Sequence, residues 1–513
     1  MTQGLLSYQY ENEESAIGMT GFGGLPIYLD LAFVARLPES IEKHLKICSK
    51  DQGWTDRQIV LSLIMMNLAG GESVDDLDTL DTDEGFAKLI QRVEHQGMKR
   101  KARRALAKRF RRTRKRAVPS ASVIFRYLSH FHDETEESKR IANTAFIPKP
   151  NIWLRQLYQI NWDLVAFAQK QTTQEIATLD GDATLVETNK REALYCYQKY
   201  KAYQPFNMYW HEQGLLVHSE FRDGNVNAGY EQTRLLKESL DHLPQGIKKV
   251  YHRSDTAGYQ QELLQYCANG THPKFGQIEY AIGVKVTKAF KKAVLEVEEK
   301  AWHCFEKAGI RTNQELAEVC FVPNWLGKKK PKKGDPLYRY IAIREPLIEQ
   351  ETLEAIEPLQ QEFPFPTMQF NNKKNYKVFG IVTNRTIPGN ELIQWHRDRC
   401  GKSEEVHAVE KVDLAGGRLP SKLFGANAAW WGIMILAYNL NTIMQRQVLP
   451  ESWKYKRFKA LRYGLIGIAA RIISHARQLI IKISSRHPIF EVLLMARQRI
   501  LEMAQPPPIC QSI

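Results

Sequence analysis

The feature that most restricts the fold is a change of sequence period near residue 176. Three runs that read as strands follow one another, IATLDGDATLVET, QPFNMYWHEQG and LLVHSEFRDGN, with turn residues after the second and third. An amphipathic helical segment, a fourth strand GIKKVYHRSD, a second helix and a fifth strand QIEYAIGVKVT complete the pattern. Three strands followed by helix, strand, helix, strand predict an α/β fold with a mixed sheet.

Two aspartates, Asp180 and Asp182, lie in the first of these runs. Residues two apart in a strand point to the same face, so their charges would repel unless a cation lay beside them. The alternative is that Asp180-Gly181-Asp182 forms a turn between two short strands, since Asp and Gly are common turn residues. This stretch alone leaves a metal site and a turn both open.

Asp255 and Glu404 are two further acids at distinctive positions. Asp255 ends the fourth predicted strand, and Glu404 lies in the helical segment 390–411. Each has a plain structural alternative, because Asp255 could cap the helix after it and Glu404 could be one charge on a solvated face. In such a sheet, however, the end of one strand lies near its neighbour, and a packed helix can bring a third carboxylate over them.

The charge of the chain indicates a polyanionic partner, nucleic acid first and an anionic membrane surface second. The 513 residues carry 72 Lys and Arg against 57 Asp and Glu, a net charge of +15. Twelve of the 18 residues at 99–116 are Lys or Arg. Such a run can be merely solvated, but here it supplies most of the excess charge. The residues of this arm that we expect to contact DNA are Arg109, Arg111, Arg112, Arg114, Lys115 and Arg116.

A short helix directly after the basic run is expected to extend this surface. In VPSASVIFRYLSHF, Ser120 can cap a helix that turns Arg126 outward while Tyr127 and Leu128 pack inward. A basic arm beside a helix with an exposed arginine is a reasonable element for binding a DNA groove. Residues 1–150 are therefore predicted to form a helical, basic DNA-binding region.

Composition disfavours several other classes. The seven cysteines form no Cys-x-x-Cys pair and no zinc-ligand spacing, so we expect reduced thiols, a cytoplasmic protein and no structural zinc. The first residues lack the basic and apolar segments of a signal peptide. The most apolar late segment, residues 428–438, is too short to span a bilayer, and we expect no membrane partner.

At its acids the chain resembles the DDE transposases of bacterial insertion sequences, which have an RNase H-like catalytic core. The family's first Asp lies in a motif like hydrophobic-Asp-x-Thr, matched by LDGDATL with Asp182 and Thr184. Its second Asp ends a strand in a segment matched by HRSDTAGY with Asp255. Its Glu lies on a helix with the signature Tyr-x2-Arg-x3-Glu-x6-Lys, after a strand that ends Val-Thr-Asn.

The third motif departs from this signature. The strand end is GIVTNR and the helix is WHRDRCGKSEEVHAVEK, in which Trp395 replaces Tyr and the first two spacings are each one residue longer. Six residues separate Glu404 from Lys411, as the signature requires. The resemblance therefore selects Glu404 over Glu405 as the third acid and assigns Arg399 and Lys411 to DNA.

The resemblance implies a fold and a reaction. An RNase H-like mixed-sheet core is expected to begin in residues 151–287 and to continue in residues 376–513, which also contain the C-terminal helices, with residues 288–375 as an insertion before the Glu-bearing helix. The implied activity is metal-dependent cleavage at terminal inverted repeats and strand transfer to target DNA. Asp182, Asp255 and Glu404 would hold two Mg²⁺ ions, for which Mn²⁺ can substitute. Pairing two DNA ends implies a homodimer in the synaptic complex, in a bacterial cytoplasm at the nucleoid.

Two other functions stay open at this point. One is a metal-dependent nuclease on the same core without strand transfer, and the other is a non-catalytic DNA-binding protein whose acids are structural. Trp325, beside the basic loop GKKKPKK, could stack on a flipped base or simply pack in the core. Residues 462–484, RYGLIGIAARIISHARQLIIKIS, are expected to form a basic amphipathic helix.

Overall fold

The computed structural model describes most of the chain in two compact units. The described ranges are 17–48, 53–95, 98–109, 116–141, 144–326, 338–347, 365–475 and 478–505. Unit 1 contains the described residues up to Asp133, Pro150–Ile160 and those from Val409 onward. Unit 2 contains Glu134–Lys149 and Asn161–Ala408.

Unit 2 carries most of the strands, and unit 1 carries most of the helices. The strands of the described residues are β1 (Met19–Thr20), β2 (Ile176–Ala183), β3 (Val186–Glu187), β4 (Leu194–Tyr195), β5 (Lys201–Tyr203), β6 (Phe206–Trp210), β7 (Leu215–Glu220), β8 (Lys249–Ser254), β9 (Glu279–Gly283), β10 (His303–Lys307), β11 (Ile310–Val319), β12 (Arg339–Pro346), β13 (Thr367–Gln369), β14 (Asn375–Thr383), β15 (Ala470–His475) and β16 (Gln478–Lys482). The α-helices are α1 (Pro26–Val34), α2 (Leu37–His44), α3 (Asp56–Ala69), α4 (Leu77–Thr82), α5 (Glu84–Glu94), α6 (Arg100–Lys108), α7 (Ala121–Ser129), α8 (Glu134–Glu137), α9 (Ile152–Gln171), α10 (Gln232–Asp241), α11 (Gln261–Asn269), α12 (Lys288–Leu295), α13 (Gly389–Arg397), α14 (Lys402–Ala408), α15 (Phe424–Ile443), α16 (Phe458–Leu461) and α17 (Ile489–Met503).

A mixed sheet forms the centre of unit 2, and its described residues make ten strands. The order is β10-β11-β12-β14-β9-β8-β2-β6-β7, with β13 paired to β14. β2, β8 and β9 are parallel, whereas β6 and β7 continue from β2 in antiparallel fashion. The five strands predicted from the sequence period are therefore adjacent in the order β7-β6-β2-β8-β9, which is the RNase H-like arrangement.

The segment 288–375 extends this sheet. It lies in the chain between β9 and the helix that carries Glu404, where the sequence predicts an insertion. Its strands continue the core sheet, because β12 pairs with β14 over eight positions and β11 pairs with β12. β14 also pairs with β9 over three positions and with β13 over three others.

An apolar cluster joins this extension to the core. It includes residues from β9, β10, β11, β12, β14 and α13, with Trp395 packed against it. The buried members are Ala281, Phe305, Leu316, Ile341, Ile343, Ile381, Leu392 and Ile393. Burying Leu392 and Ile393 fixes α13 on the sheet, and α13 leads directly towards the predicted third acid.

Unit 1 is built around buried helices. Thr55 and Gln58 form a capping box at the start of α3, and Gly70 ends that helix with a φ of +107°. α15 is buried along nearly its whole length. None of the helices in the described part of the chain combines the length and the apolar character needed to cross a membrane.

The basic segment near the C-terminus is a hairpin. β15 and β16 pair in antiparallel fashion, with Arg471 opposite Lys482, and β1 adds a third strand through Met19. The prediction of an amphipathic helix over 462–484 is therefore wrong. Ala470 and Ile472 are buried while Arg471 is exposed, which is a period of two, and β-branched isoleucines favour strands.

Candidate active site

Asp180 and Asp182 lie on a continuous strand. β2 pairs with β6 on one side and with β8 on the other. The pairing with β6 includes both Asp180 and Asp182. A Cβ on the intervening Gly181 would lie 3.2 Å from ring atoms of both His252 and Phe206. Glycine therefore lets the strand pass between two rings, and the alternative of a turn is excluded.

Asp180 belongs to a buried ion pair. Arg253 Nε donates to Asp180 Oδ1 at 2.6 Å and Nη2 donates to Oδ2 at 2.8 Å, and both side chains are at most 1% exposed. His211 Nδ1 lies 3.7 Å from Oδ2. Burial alone would raise the pKa of Asp180, but the hydrogen bonds and charges of His211 and Arg253 outweigh it and hold the pKa below its ordinary value. Asp180 is thus already neutralised within the fold.

Asp182 and Asp255 come together because β2 and β8 are parallel neighbours. The last paired positions are Gly181 and Ser254, so the two aspartates follow one residue later on adjacent strands. Burial raises the pKa of each carboxyl, and repulsion from Asp182 adds to the rise for Asp255. A cation bound beside these two acids would therefore offset both the burial of their charges and their mutual repulsion.

Asp255 has a second role that the sequence left open. Its Oδ1 accepts a hydrogen bond from Ala257 N at 2.9 Å and so caps the 3-10 turn Thr256–Gly258. The cap fixes the carboxyl at the end of β8. The Asp255 side chain therefore both caps this turn and lies beside Asp182.

Arg399 and Ser403 complete the surroundings of Asp182. Arg399 Nη2 lies 3.5 Å from Asp182 Oδ2, and its side chain is 8% exposed. Ser403 hydrogen-bonds the same carboxyl, and both groups lower the pKa of Asp182 without cancelling the effect of burial. The structure places Arg399 as a counter-charge beside Asp182, and its contact with DNA stays a prediction. Ser403 was missed, since nothing marked it except its place before Glu404.

The predicted helix over 390–411 is interrupted. α13 ends at Arg397, α14 begins at Lys402, and Gly401 between them has a φ of +78°. Arg399 lies in this break. The break falls within the stretch whose spacings are longer than those of the family signature, so Trp395 and Glu404 are not on one continuous helix.

Glu404 lies on α14 with an exposed side chain. Its neighbour Glu405 is paired with Lys402, whose Nζ lies 2.6 Å from Glu405 Oε2. Across the described ranges, no group of three His, Cys, Asp and Glu side chains is close enough to hold a metal ion. The structure therefore brings Asp182 and Asp255 together and leaves Glu404 outside that pair, one residue from Ser403.

The N-terminal basic arm is only partly available to DNA. Arg109 donates to the carbonyl oxygens of Gly53 and Trp54, at 2.7 and 3.3 Å. Arg116 is paired with Asp78 and Asp81. Arg126 is exposed, as predicted, while Ile124, Tyr127 and Leu128 are buried. The predicted contacts Arg111, Arg112, Arg114 and Lys115 lie outside the described residues.

Two further predicted residues are half-buried. Lys411 lies in the π-helical turn Val409–Asp413 of unit 1, where burial lowers the pKa of its ammonium group. Trp325 packs edge-on against Tyr338, with ring centroids 5.1 Å apart. This contact favours the packing alternative for Trp325 over stacking on a base.

Comparison with known proteins decides the family. Residues 19–324 and 369–505 match the family described as Transposase DDE domain group 1, and these ranges include all three predicted acids. The chain belongs to the DDE transposase family. It is a DNA transposase, and enzymes of this family depend on divalent metal ions. No curated protein matches the transposase.

A solved structure also resembles this transposase. It is described as the cryo-EM structure of the piggyBac transposase synaptic complex with hairpin DNA. The two chains share 11% sequence identity and superpose with a TM-score of 0.40, over 96% of the transposase and 85% of the other chain.

The residues of the site fit a divalent cation. Asp182 and Asp255 offer hard oxygen donors; burial raises the pKa of each carboxyl, and repulsion from Asp182 adds to the rise for Asp255. Arg399 supplies part of the compensating charge at Asp182. Two of the three predicted acids thus lie side by side, where both could contribute oxygens to one cation.

Proposed function

We propose that this transposase binds the terminal inverted repeats of an insertion sequence, cleaves the DNA there and joins the released ends to target DNA. The observation that carries the proposal is the pair Asp182 and Asp255 at the ends of adjacent parallel strands. Bacterial cytoplasm, at the nucleoid, is the proposed location, and a homodimer that pairs two DNA ends is the proposed active form.

Asp182, Asp255 and Glu404 are the proposed metal-binding carboxylates. Bound Mg²⁺, or Mn²⁺ in its place, would supply Lewis-acid activation for displacement at phosphorus, and two ions suit such a reaction. Asp182 and Asp255 would hold the ions from the rigid sheet. Glu404 is the proposed third ligand because it follows Ser403, which already contacts Asp182.

The residues around the acids prepare the site. The Arg253–Asp180 pair fixes β2 against β8, and Arg253 also donates to the backbone oxygen of Trp395 on α13. This link ties the strands of the two aspartates to the helix that leads to Arg399 and Glu404. Arg399 would balance the charge of the aspartates before the metal is bound.

DNA affinity is proposed to come from exposed basic residues of unit 1. α6 exposes Arg100, Lys101, Arg104 and Lys108, and α7 exposes Arg126. Their charges suit phosphate contacts, which position a duplex without reading its sequence. Lys411 is proposed to add a cation in the same unit.

The test uses short DNA duplexes that carry a terminal repeat and a target plasmid. We expect Mg²⁺ to permit both end cleavage and joining, and EDTA to stop both. Asp182→Asn and Asp255→Asn should stop both reactions at matched DNA occupancy, while Glu405→Gln is the control that keeps them. Cleavage without joined products would support a nuclease instead, and binding without cleavage would support a non-catalytic DNA-binding protein.

A further inference from the structure

A small sheet connects the end of β2 to the start of β6, beside the aspartates. β3, β5 and β4 form three antiparallel strands, and the chain enters them after β2 and leaves them before β6. Asp182 is paired with Asn207, and Ala183 is paired with Phe206. β2 ends at Ala183 and β6 begins at Phe206, so the chain enters and leaves the small sheet one residue beyond the Asp182–Asn207 pair. The small sheet therefore begins within a few residues of the proposed catalytic Asp182.

The sheet is firmly anchored at its base. A Cβ on Gly224 would lie 2.4 Å from Ala202 O and 2.9 Å from Leu194 O, so glycine permits the chain after β7 to pack directly against β4 and β5. Cys196 is buried, and its backbone N donates to Tyr200 O at 2.8 Å. The exposed residues next to these contacts, Tyr195 and Tyr197, therefore lie on backbone that is held in place.

Two aromatic residues are exposed in this small sheet and its turn. Tyr195 on β4 and Tyr197 in the turn after β4 are 64% and 74% exposed. They lie among four basic residues, Lys190, Arg191, Lys199 and Lys201. Lys201 Nζ lies 5.9 Å from the centroid of the Tyr195 ring and donates to Arg191 O at 2.7 Å. Glu187 and Glu192 are the only acids between residues 186 and 203 of the sequence, so the segment carries a net charge of +2.

We propose that this sheet holds the unpaired nucleotides of a DNA end at the cleavage site, with bases stacked on Tyr195 and Tyr197 and phosphates near Arg191 and Lys199. Exposed aromatic rings interleaved with cations are the combination that binds single-stranded nucleic acid. The positive charge opposes binding of a basic partner. This inference rests on the proposed function, because it takes the DNA to be the strand cut beside Asp182.

The decisive measurement compares two DNA ends that differ only in pairing. One end is fully duplex, and the other has unpaired nucleotides next to the cleavage position, with 2-aminopurine as the reporter base. Measurements in EDTA keep the DNA intact. We expect the full-length protein to bind the frayed end more tightly and to quench the reporter, whose fluorescence falls when it stacks on an aromatic ring.

Replacement of both tyrosines by Ala should reduce the preference for the frayed end by roughly fivefold or more and abolish the quenching, since each stacked base contributes about 1–3 kcal/mol. Tyr195→Phe with Tyr197→Phe keeps the rings and should behave like the wild type. Tyr463→Ala removes a ring that is 90% exposed in unit 1 and should leave the quenching unchanged.

The outcomes separate the inference from the proposed function. Unchanged preference and quenching in the double Ala variant would overturn the inference, even if that variant still cleaves DNA with Mg²⁺. A double Ala variant that changes only self-association would also overturn it and would assign the surface to a second copy of the chain. Loss of quenching in the double Ala variant of a protein whose wild type does not cleave would sustain the stacking of unpaired nucleotides on Tyr195 and Tyr197, and would refute the proposed function and with it the placement at a cleavage site.

Discussion

Arg253 on β8 donates two hydrogen bonds to Asp180 on β2, at 2.6 and 2.8 Å, and both side chains are almost completely buried. The aspartate two residues further along the same strand, Asp182, instead has a raised pKa and lies beside an arginine at 3.5 Å. One acid of the pair therefore stabilises the fold, and the other is available for chemistry. The two substitutions should fail in different ways.

Asp180→Asn should mainly destabilise the protein. It would leave the Arg253 guanidinium buried without its compensating charge, a change that typically costs about 3–5 kcal/mol. Urea unfolding should show a lower midpoint, measured at pH 7. A variant as stable as the wild type would contradict the assignment of this pair as a structural element.

Asp182→Asn and Asp255→Asn should abolish cleavage while leaving the protein at least as stable. Each removes one of two carboxylates that repel each other, so no buried charge loses a close partner except Arg399 in the first variant. Activity on a DNA end and the urea midpoint should be measured on the same preparations. Retained cleavage in either variant would remove that residue from the proposed metal site.

Glu404→Gln should eliminate Mg²⁺-dependent cleavage, whereas Glu405→Gln should retain most of it. Glu405 is engaged with Lys402, and adjacent helical residues point about 100° apart, so only one of the two can face the aspartates. Lys411→Ala should be intermediate, because it removes a cation and no metal ligand. All three are compared at matched DNA occupancy, and full activity in Glu404→Gln would leave the third acid unidentified.

Two buried histidines should make the stability depend on pH. Burial lowers the pKa of His252 and of His396 to about 4, from an ordinary value of 6.5. The unfolded chain takes up these protons below pH 6.5, whereas the folded protein resists protonation down to about pH 4. The free energy of unfolding is therefore highest above pH 6.5 and falls as the pH drops towards 4, by about 2 kcal/mol for each histidine at pH 5.

Chemical unfolding at pH 7 and pH 5 checks this expectation. His252 Nδ1 hydrogen-bonds Leu179 O and His396 Nε2 hydrogen-bonds Ser254 O, so Asn at 252 and Gln at 396 keep a donor near each place. Each substitution should reduce the loss of stability between the two pH values. A loss of the same size in the double variant would show that other groups cause it.

Replacement of Lys101, Arg104 and Lys108 by Ala should weaken DNA binding and flatten its salt dependence. These side chains are exposed on α6, and each lost phosphate contact removes roughly 0.9 from the slope of log affinity against log salt. Arg116→Ala is the matched control, since this arginine is already paired with Asp78 and Asp81. Equal slopes for the triple variant and the wild type would exclude α6 as a phosphate-binding surface.

The central strands were predictable because their signal is local. Alternation and turn residues mark β2, β6, β7, β8 and β9 in the sequence, and parallel pairing of β2 with β8 then brings Asp182 and Asp255 together. The buried face of α7 followed in the same way from the spacing of Ile124, Tyr127 and Leu128. Both inferences used periodicity within one segment.

The remaining features depend on contacts between distant segments. β12 reads as a strand on its own, but only its partner β14 shows that it extends the sheet. The hairpin of β15 and β16 contains apolar residues that suit a helix or a strand, and pairing with Met19 and Thr20 favours the strand. Arg399 carries a charge that suits DNA equally well, and its place beside Asp182 depends on the break at Gly401.

The eight paired positions between β12 and β14 have a mechanical consequence. A segment hydrogen-bonded along its length to a central sheet cannot swing away from that sheet without breaking this ladder. Its removal would also expose the unpaired N–H and C=O groups along the β14 edge that now pairs with β12, and such edges recruit strands from other molecules. The inserted residues of this enzyme thus protect a strand that would otherwise be an unpaired sheet edge. A shortened chain that lacks them is expected to aggregate.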